Sequence, residues 1–240
     1  MSVPVPGLGL PTPAAKSGYV SRMFGSIAGH YDLMNRLMTA GMDRGWRRAA
    51  VRALAPVPGS LILDVGTGTG DFLDLLAERD CRAVGTDFSL PMMLAGRARR
   101  AADGRAAPLL AGDALALPFA DQSFDGLLNG FLLRNVADLD RALSELRRVL
   151  KPGAAAVCLE ITWPRAPIFR QAFGLYFGRL VPLVGRAISG DPEAYSYLPR
   201  SVAAFVTAPE LAERMRTAGF REVTYRTLAL GTVAIHRGVR

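Results

Sequence analysis

The chain has 240 residues, which fits one domain of ordinary size, and its 50% hydrophobic content is enough to bury a substantial core. The net charge of +8 comes from 29 Lys and Arg against 21 Asp and Glu, without the basic block typical of a nucleic-acid-binding protein. Neither a zinc site nor a disulfide is indicated, because Cys81 and Cys158 lie far apart without CxxC spacing. We therefore expect no metal and no nucleic acid.

The N-terminal residues 1–16 are rich in Pro and Gly and have few side chains to bury, so we predict a flexible arm. They lack the basic start and continuous apolar stretch of a signal peptide. No segment of the chain reaches the roughly 18 apolar residues of a membrane span. We expect a cytoplasmic protein, with residues 17–240 forming a single domain.

Residues 17–56 are predicted to form a helical cover ahead of that domain. Their apolar side chains recur at steps of three and four residues, which is typical of helices. The positions are Phe24, Ile27, Tyr31, Met34, Leu37 and Met38.

Next, short apolar runs alternate with helical patterns along the chain. The first run, Leu61–Val65, stops at glycines and is followed by a helical pattern, as a buried parallel strand that leads into a helix would be. Further strands are predicted at 83–86, 108–111, 125–130, 154–161, 223–227 and 232–236. This alternation predicts an α/β fold with a doubly wound, mostly parallel sheet. Residues 165–205 are predicted to form a helical insertion on the substrate side.

A glycine-rich loop follows the first predicted strand. It begins with Asp64, and Gly66 and Gly68 allow a tight turn and close approach of a ligand. Asp71 stands where a dinucleotide GxGxxG motif has its last glycine, which disfavours a nicotinamide oxidoreductase. The loop favours a nucleoside cofactor without a pyrophosphate, such as S-adenosylmethionine, although a tight turn alone would explain the glycines.

Polar residues also end the next three predicted strands. Asp87 has the position of an acid that accepts hydrogen bonds from ribose hydroxyls, although it also fits the start of a helix. Asp113 is placed to accept from an adenine amino group, and Asn129 and Gly130 close the fourth strand beside the loop. Together these residues predict a cofactor pocket.

More specific motifs are YDLMN at 31–35, LRNV at 133–136 and AYSYLP at 194–199. With them, residues 23–238 resemble the ubiquinone/menaquinone biosynthesis C-methyltransferase family. The resemblance implies a class I S-adenosylmethionine-dependent methyltransferase fold with a seven-stranded sheet. It also implies ring methylation of a polyprenylated quinol, with demethylmenaquinol favoured and 2-polyprenyl-6-methoxy-1,4-benzoquinol as the alternative.

Particular residues take roles from this resemblance. Cofactor contacts are implied at Thr69, Asp87, Asp113, Ala114 and Gly130. The chain departs from the family at three positions, which affects the expected shape of the quinol pocket. The family usually has Gly at Leu132, often an acid at Leu115 and often His at Asp43.

The reaction requires a nucleophilic ring carbon, which a quinol provides when a neighbouring hydroxyl loses its proton. Because a phenolic pKa lies near about 10, the enzyme has to stabilise the phenolate or supply a base. Arg134 is the candidate cation, unless it only forms a surface ion pair, and Asn135 is the candidate for orienting the hydroxyl.

The base stays open. The candidates are His30, Asp43, Tyr195, Tyr197 and a water held by Asp32 or Asp113. Alternatively His30 is structural, and water alone accepts the proton. The expected substrate contacts are Tyr31, Phe131, Tyr195 and Tyr197.

The segment 168–188 is rich in Phe and Leu with interspersed arginines, and two interpretations remain. It is either a core-facing helix or an apolar surface for a polyprenyl tail, in contact with the inner face of the cell membrane. The oligomeric state stays open, with a homodimer among the options. Rival functions are methylation of a different acceptor, and a regulatory or nucleic-acid-binding protein that holds S-adenosylmethionine without turnover.

Overall fold

A seven-stranded sheet forms the centre of the computed structural model, which describes residues 9–29, 31–102, 107–164, 166–176, 178 and 192–240. The strand order is β3-β2-β1-β4-β5-β7-β6, parallel except for β7, which is antiparallel to β5 and β6. The predicted doubly wound, mostly parallel sheet is therefore confirmed. The strands are β1 (Leu61–Val65), β2 (Arg82–Asp87), β3 (Leu109–Ala111), β4 (Phe124–Gly130), β5 (Leu150–Ile161), β6 (Arg221–Leu228) and β7 (Val233–Val239).

Helices pack on both faces of this sheet. The helices are α1 (Pro13–Ile27), α2 (Tyr31–Met38), α3 (Met42–Leu54), α4 (Asp71–Ala77), α5 (Leu90–Ala102), α6 (Leu139–Val149), α7 (Pro167–Leu175), α8 (Pro192–Ala204) and α9 (Ala208–Thr217). One apolar cluster joins α6 and α9 to the sheet, and a second joins α3 and α4 to it. Because both faces are covered, the central strands are buried along most of their length, as β1 and β4 show.

Sequence signals explain where individual elements begin and end. Asp138 caps α6 by accepting a hydrogen bond from the backbone N–H of Arg141 at 3.0 Å. The Glu210 carboxylate reaches back to the N–H of Thr207 at 2.7 Å at the start of α9. β5 begins at Leu150 rather than at the predicted residue 154, because Leu150 pairs with Phe124 before the register shifts.

The predicted N-terminal arm is wrong at residues 13–16, because α1 begins at Pro13, where proline suits a first helical turn. Val20, Met23 and Ile27 give the helix an apolar face, which packs in a third cluster with residues of α2 and α8. Residues 1–8 lie outside the described part of the chain. The three helices α1–α3 occupy the predicted helical cover.

The segment 168–188 is described only in part, since residues 179–191 lie outside the description. Its first portion is α7, in which Ile168 is 79% exposed and Leu175 58% exposed. This portion of the segment is therefore not the core-facing helix that was one of the two interpretations.

Two helical glycines allow a matched test of packing around the glycine loop. A Cβ on Gly96 of α5 would lie 2.3 Å from the backbone oxygen of Thr69, so Gly96→Ala should destabilise the protein by about 1–3 kcal/mol. Gly45 of α3 has no described atom within 4 Å of its position, so Gly45→Ala should stabilise by about 0.5–1 kcal/mol. Urea unfolding of both variants measures the difference, and equal effects would contradict this packing.

Candidate active site

The glycine loop between β1 and α4 is folded back onto β2. The N–H groups of Gly66 and Thr67 both donate to the Thr86 carbonyl, at 2.8 and 3.0 Å. The Asp87 carboxylate accepts from the N–H of Gly68 and of Ser89, each at 2.8 Å. Burial raises the pKa of Asp87. One acid therefore fixes the loop and the start of α5 at the carboxyl edge of the sheet.

The last glycine of the loop is required by its surroundings. Gly70 has φ +86°, and a Cβ there would lie 1.5 Å from the Arg100 guanidinium. Arg100 is buried and donates to the Thr69 carbonyl at 2.7 Å. No other residue fits in this conformation without displacing the arginine.

A small cavity of about 30 Å³ lies beside this loop and is the candidate cofactor site. Gly66, Asp87, Asp113 and Ala114, four of the predicted cofactor contacts, border it. Asp113 also accepts from the N–H of Leu115 at 2.9 Å. The structure thus brings the acids at the ends of β2 and β3 together at one edge, as the sequence predicted.

Other predicted cofactor residues do not border this cavity. The Asn129 amide is buried in the sheet and donates to Cys158 Sγ at 3.0 Å. A Cβ on Gly130 would meet the Phe72 ring at 2.8 Å. The Thr69 hydroxyl donates to Asp32 of α2 at 2.8 Å. Gly68 and Asp64 hold the loop.

The unusual Leu132 narrows this cavity, since its side chain lies over Gly66. A Cβ on Gly66 would be 2.8 Å from Leu132 Cδ1. Leu132 borders the cavity together with Asn135. The departure from the family pattern therefore affects the cofactor side of the site, whereas the sequence suggested an effect on the quinol pocket.

Asp64 provides a test of fit for a cationic cofactor. Its Oδ2 accepts from the Thr67 hydroxyl at 2.6 Å, while its buried Oδ1 has no partner among the described residues. Burial raises the pKa of Asp64 to about 7. A buried acceptor of this kind is stabilised by a nearby cation, such as the ammonium group of S-adenosylmethionine. The chemistry of these residues fits this cofactor, whereas the adjacent cavity of about 30 Å³ has to widen to admit it.

A larger cavity of about 560 Å³ lies between α2, α3 and α7. Most of its wall is apolar and includes Met38, Trp46, Phe131, Phe173 and Leu198. The polar side chains of Asn35, Asp43 and Arg134 also contribute to the wall. The cavity therefore suits a long apolar ligand with a polar head.

A third cavity of about 50 Å³ lies between these two. Asn135 borders it and the cofactor cavity, whereas Tyr31, Asn35 and Arg134 border it and the large cavity. Tyr197 also borders this third cavity. The segment Leu133–Asn135, a short 3₁₀ turn after β4, thus separates the cofactor side from the apolar side.

Arg134 forms a buried ion pair, not a surface one. Its Nη1 lies 3.1 Å from Glu160 Oε2 and donates to the Phe131 carbonyl at 2.7 Å. Glu160 also accepts from the N–H of Leu133 at 2.6 Å. Arg134 Nε is buried without a partner among the described residues. The guanidinium is therefore held in place through Nη1, while its Nε–H group is available to a ligand.

The remaining candidates for catalysis differ in their hydrogen-bond partners and in their pKa values. The Asn135 amide donates to the Phe131 carbonyl at 3.0 Å and accepts from the Tyr197 hydroxyl at 3.2 Å. Asp43 accepts from Arg47 at 3.0 Å and from Thr39 at 3.1 Å. Burial raises the pKa of Tyr197 to about 12 and also raises that of Tyr31, so neither is an anionic base at neutral pH. His30 and the side chain of Tyr195 lie outside the described residues.

Sequence reasoning missed two residues that organise this site. Glu160 ends a buried strand, which is the signal that identified Asp87, but its partner was not foreseen. Lys16 lay in the predicted arm, yet it donates to the carbonyls of Arg134 and Val136 at 2.9 and 2.8 Å. Burial and the charge of Arg134 lower the pKa of Lys16 to about 8.

A sequence model of the ubiE/COQ5 methyltransferase family matches residues 13–240. The chain belongs to this family. It is similar to the demethylmenaquinone methyltransferase of Roseiflexus castenholzii, with 52% identity over 96% of this chain and 97% of that one. With the same-named protein of Streptomyces avermitilis it shares 44% identity over 92% of this chain and 94% of that one.

Solved structures agree on the fold of this S-adenosylmethionine-dependent methyltransferase. An S-adenosylmethionine-dependent methyltransferase of Thermotoga maritima aligns with a TM-score of 0.65 at 21% identity, over 91% of this chain and 98% of that one. The cyclase SpnF aligns with a TM-score of 0.71 at 17% identity, over 96% of this chain and 97% of that one. These likenesses establish the fold, which carries more than one kind of chemistry.

The buried pair allows a test of its electrostatics. Glu160→Gln keeps an acceptor for Leu133 but leaves the Arg134 cation uncompensated, so it should lower the free energy of unfolding by about 3–5 kcal/mol. The double variant Arg134→Met, Glu160→Leu should recover most of that loss. The exposed pair of Arg214 and Asp140 is the control, and Asp140→Asn should cost less than about 1 kcal/mol. A double variant as unstable as Glu160→Gln would contradict this account.

Asp64 predicts a pH dependence of stability. Its folded pKa of about 7 lies above the unfolded value of about 3.9, so between these values the folded protein binds more protons. Stability contributed by this group is complete at acid pH and is lost as the pH rises to about 7. The unfolding free energy of wild type minus that of Asp64→Asn should therefore fall as the pH rises through this window, by at most about 1.4 kcal/mol per pH unit. Urea unfolding from pH 4.5 to 8 checks this, and a rising difference would contradict it.

Proposed function

We propose that this enzyme transfers the methyl group of S-adenosylmethionine to a ring carbon of a polyprenylated quinol. The proposed substrate is demethylmenaquinol, in menaquinone biosynthesis. The supporting observation is the series of three adjoining cavities, which leads from the glycine loop past Asn135 and Arg134 to the apolar cavity. A quinol ring at Arg134 has its tail on the apolar side and its reactive face towards the cofactor. The names of the similar proteins point to the same substrate.

Arg134 is proposed to stabilise the quinol as a phenolate. When bound, the cofactor supplies an electrophilic methyl group, so the protein's task is to hold an electron-rich ring carbon in line with it. An arginine keeps its charge at all pH values of interest, and the unpartnered Nε gives it a donor for a phenolate oxygen. Glu160 prevents the guanidinium from turning away.

For the proton acceptor, we propose water rather than a side chain. Asp43, the acid on the wall of the apolar cavity, already accepts from Arg47 and Thr39. Tyr31 and Tyr197 have raised pKa values, so at neutral pH they donate hydrogen bonds instead of accepting a proton. With the phenolate stabilised by Arg134, solvent is a sufficient acceptor both for the hydroxyl proton and for the C–H proton that leaves the ring carbon once the methyl group has bonded to it.

Contact with the membrane surface fits this substrate. No helix among the described residues is long and apolar enough to cross a bilayer. Apolar side chains are nevertheless exposed on α2 and α7, with Leu37 at 53% and Ile168 at 79%, and Leu230 is 70% exposed. Leu37 and Leu230 also border the apolar cavity. We propose that these residues meet the lipid and that the prenyl tail enters between them.

The acceptor is tested by methyl transfer from labelled S-adenosylmethionine to demethylmenaquinol and to the polyprenyl-methoxybenzoquinol, both kept reduced. We expect faster transfer to demethylmenaquinol, and none to the oxidised quinone, because it lacks the ionisable hydroxyl. Faster transfer to the benzoquinol would assign the enzyme to ubiquinone biosynthesis instead. Transfer to neither, with cofactor binding intact, would overturn the quinol proposal.

Arg134→Gln tests the phenolate role, because it removes the charge and keeps a hydrogen-bond donor. We expect a loss in kcat of about 100-fold or more, with an unchanged Kd for S-adenosylhomocysteine. A kcat within threefold of wild type would contradict the role of Arg134.

A further inference from the structure

Helix α2 is tied to the glycine loop by polar contacts on one of its sides. The Asp32 carboxylate accepts from the Thr69 hydroxyl at 2.8 Å and forms an ion pair with Arg99 of α5. Arg99 also donates to the Thr69 carbonyl at 3.2 Å. Asp32 therefore binds the side chain of Thr69, and Arg99 binds its backbone carbonyl.

This contact is part of a wider ion network. Arg99 lies 3.3 Å from Asp71 at the start of α4, and Asp71 lies 3.2 Å from Arg47 of α3. Arg47 in turn pairs with Asp43 at 3.0 Å. The network joins the helices on the cofactor side to α3, which borders the apolar cavity.

The neighbouring side of α2 forms part of the proposed quinol site. Tyr31, Asn35 and Met38 recur at helical spacing. They border both the third cavity, of about 50 Å³, and the large apolar cavity. Of the eight residues of α2, all of them described, only Met34 is less than a tenth exposed. The other apolar contacts of α2 come from the partly buried Tyr31 and Met38, so its polar attachment to the loop adds to a limited apolar packing.

We infer that Asp32 is a positioning residue that couples cofactor binding at the glycine loop to the placement of α2, and thereby to quinol binding. Bound cofactor reduces the motion of the glycine loop. Because Thr69 of the loop is hydrogen-bonded to Asp32, the motion of α2, which carries Tyr31 and Asn35, is reduced as well. Each ligand then raises the affinity for the other by the same factor. The link to the quinol rests on the proposed function, whereas the link between the loop and α2 does not.

The first test is amide hydrogen exchange with and without S-adenosylhomocysteine. In wild type the ligand should protect peptides from the glycine loop and from α2. In Asp32→Asn the loop should stay protected while the additional protection of α2 is lost. Asp140→Asn removes the same charge from an exposed pair on α6 and should behave as wild type. Unprotected α2 in wild type, or unchanged protection of α2 in Asp32→Asn, would overturn the inference.

The second test measures the Kd of a short-tailed demethylmenaquinol, kept reduced, with and without S-adenosylhomocysteine. Wild type should bind it about 10-fold more tightly in the presence of the nucleoside, and Asp32→Asn should reduce this factor to below about twofold. In turnover, Asp32→Asn should raise the quinol KM about 10-fold with kcat within threefold. Equal coupling in both proteins would overturn the inference. If wild type does not bind the quinol at all, the proposed function fails, and hydrogen exchange alone then decides whether Asp32 couples the loop to α2.

Discussion

The hydrogen bond between the Asp87 carboxylate and the N–H of Gly68 is the contact on which the site depends. Parallel strands end at the same edge of a sheet, so β1 and β2 bring a glycine loop and an acid to one place. The carboxylate spans the gap between the two strand ends and also fixes the start of α5. Arg99 and Arg100 project from that helix onto the loop. The wall of the candidate cofactor site is therefore built from backbone and buried charge.

A second constraint governs the acceptor side, where a cation has to be kept in an apolar environment. Burying the Arg134 guanidinium is costly, and Glu160 at the end of β5 offsets that cost with a carboxylate that is itself almost fully buried. Phe131, which lies between β4 and the 3₁₀ turn, adopts φ +59° and turns the chain so that Arg134 points back under it. The same carbonyl of Phe131 receives the Asn135 amide. Strand ends thus supply both the acids for the cofactor and the acid that steadies the cation.

Much of this arrangement could be predicted because it follows from local rules. Apolar runs and their glycine and proline stops located the strands, and polar residues after successive strands were correctly placed together at one edge of the sheet. Long-range pairings could not be predicted in this way. The pairing of Glu160 with Arg134 depends on β5 lying next to β4, and the contacts of Lys16 depend on how α1 packs over the 3₁₀ turn. Composition suggested an arm for residues 13–16 because part of the apolar packing of α1 is with Tyr197 of α8, far along the chain.

In the proposed function, the three adjoining cavities give the two reactants separate routes to one point. The nucleoside side opens beside the glycine loop, and the apolar side opens between exposed apolar residues on α2 and the turn at 229–231. A water-soluble reactant and a lipid-soluble one therefore do not compete for a common entrance. The wall at Leu133–Asn135 is only a few residues thick. A single molecule that joins a nucleoside to an apolar ring through a short linker would occupy both sides at once, which makes this wall a natural place to anchor a bisubstrate inhibitor.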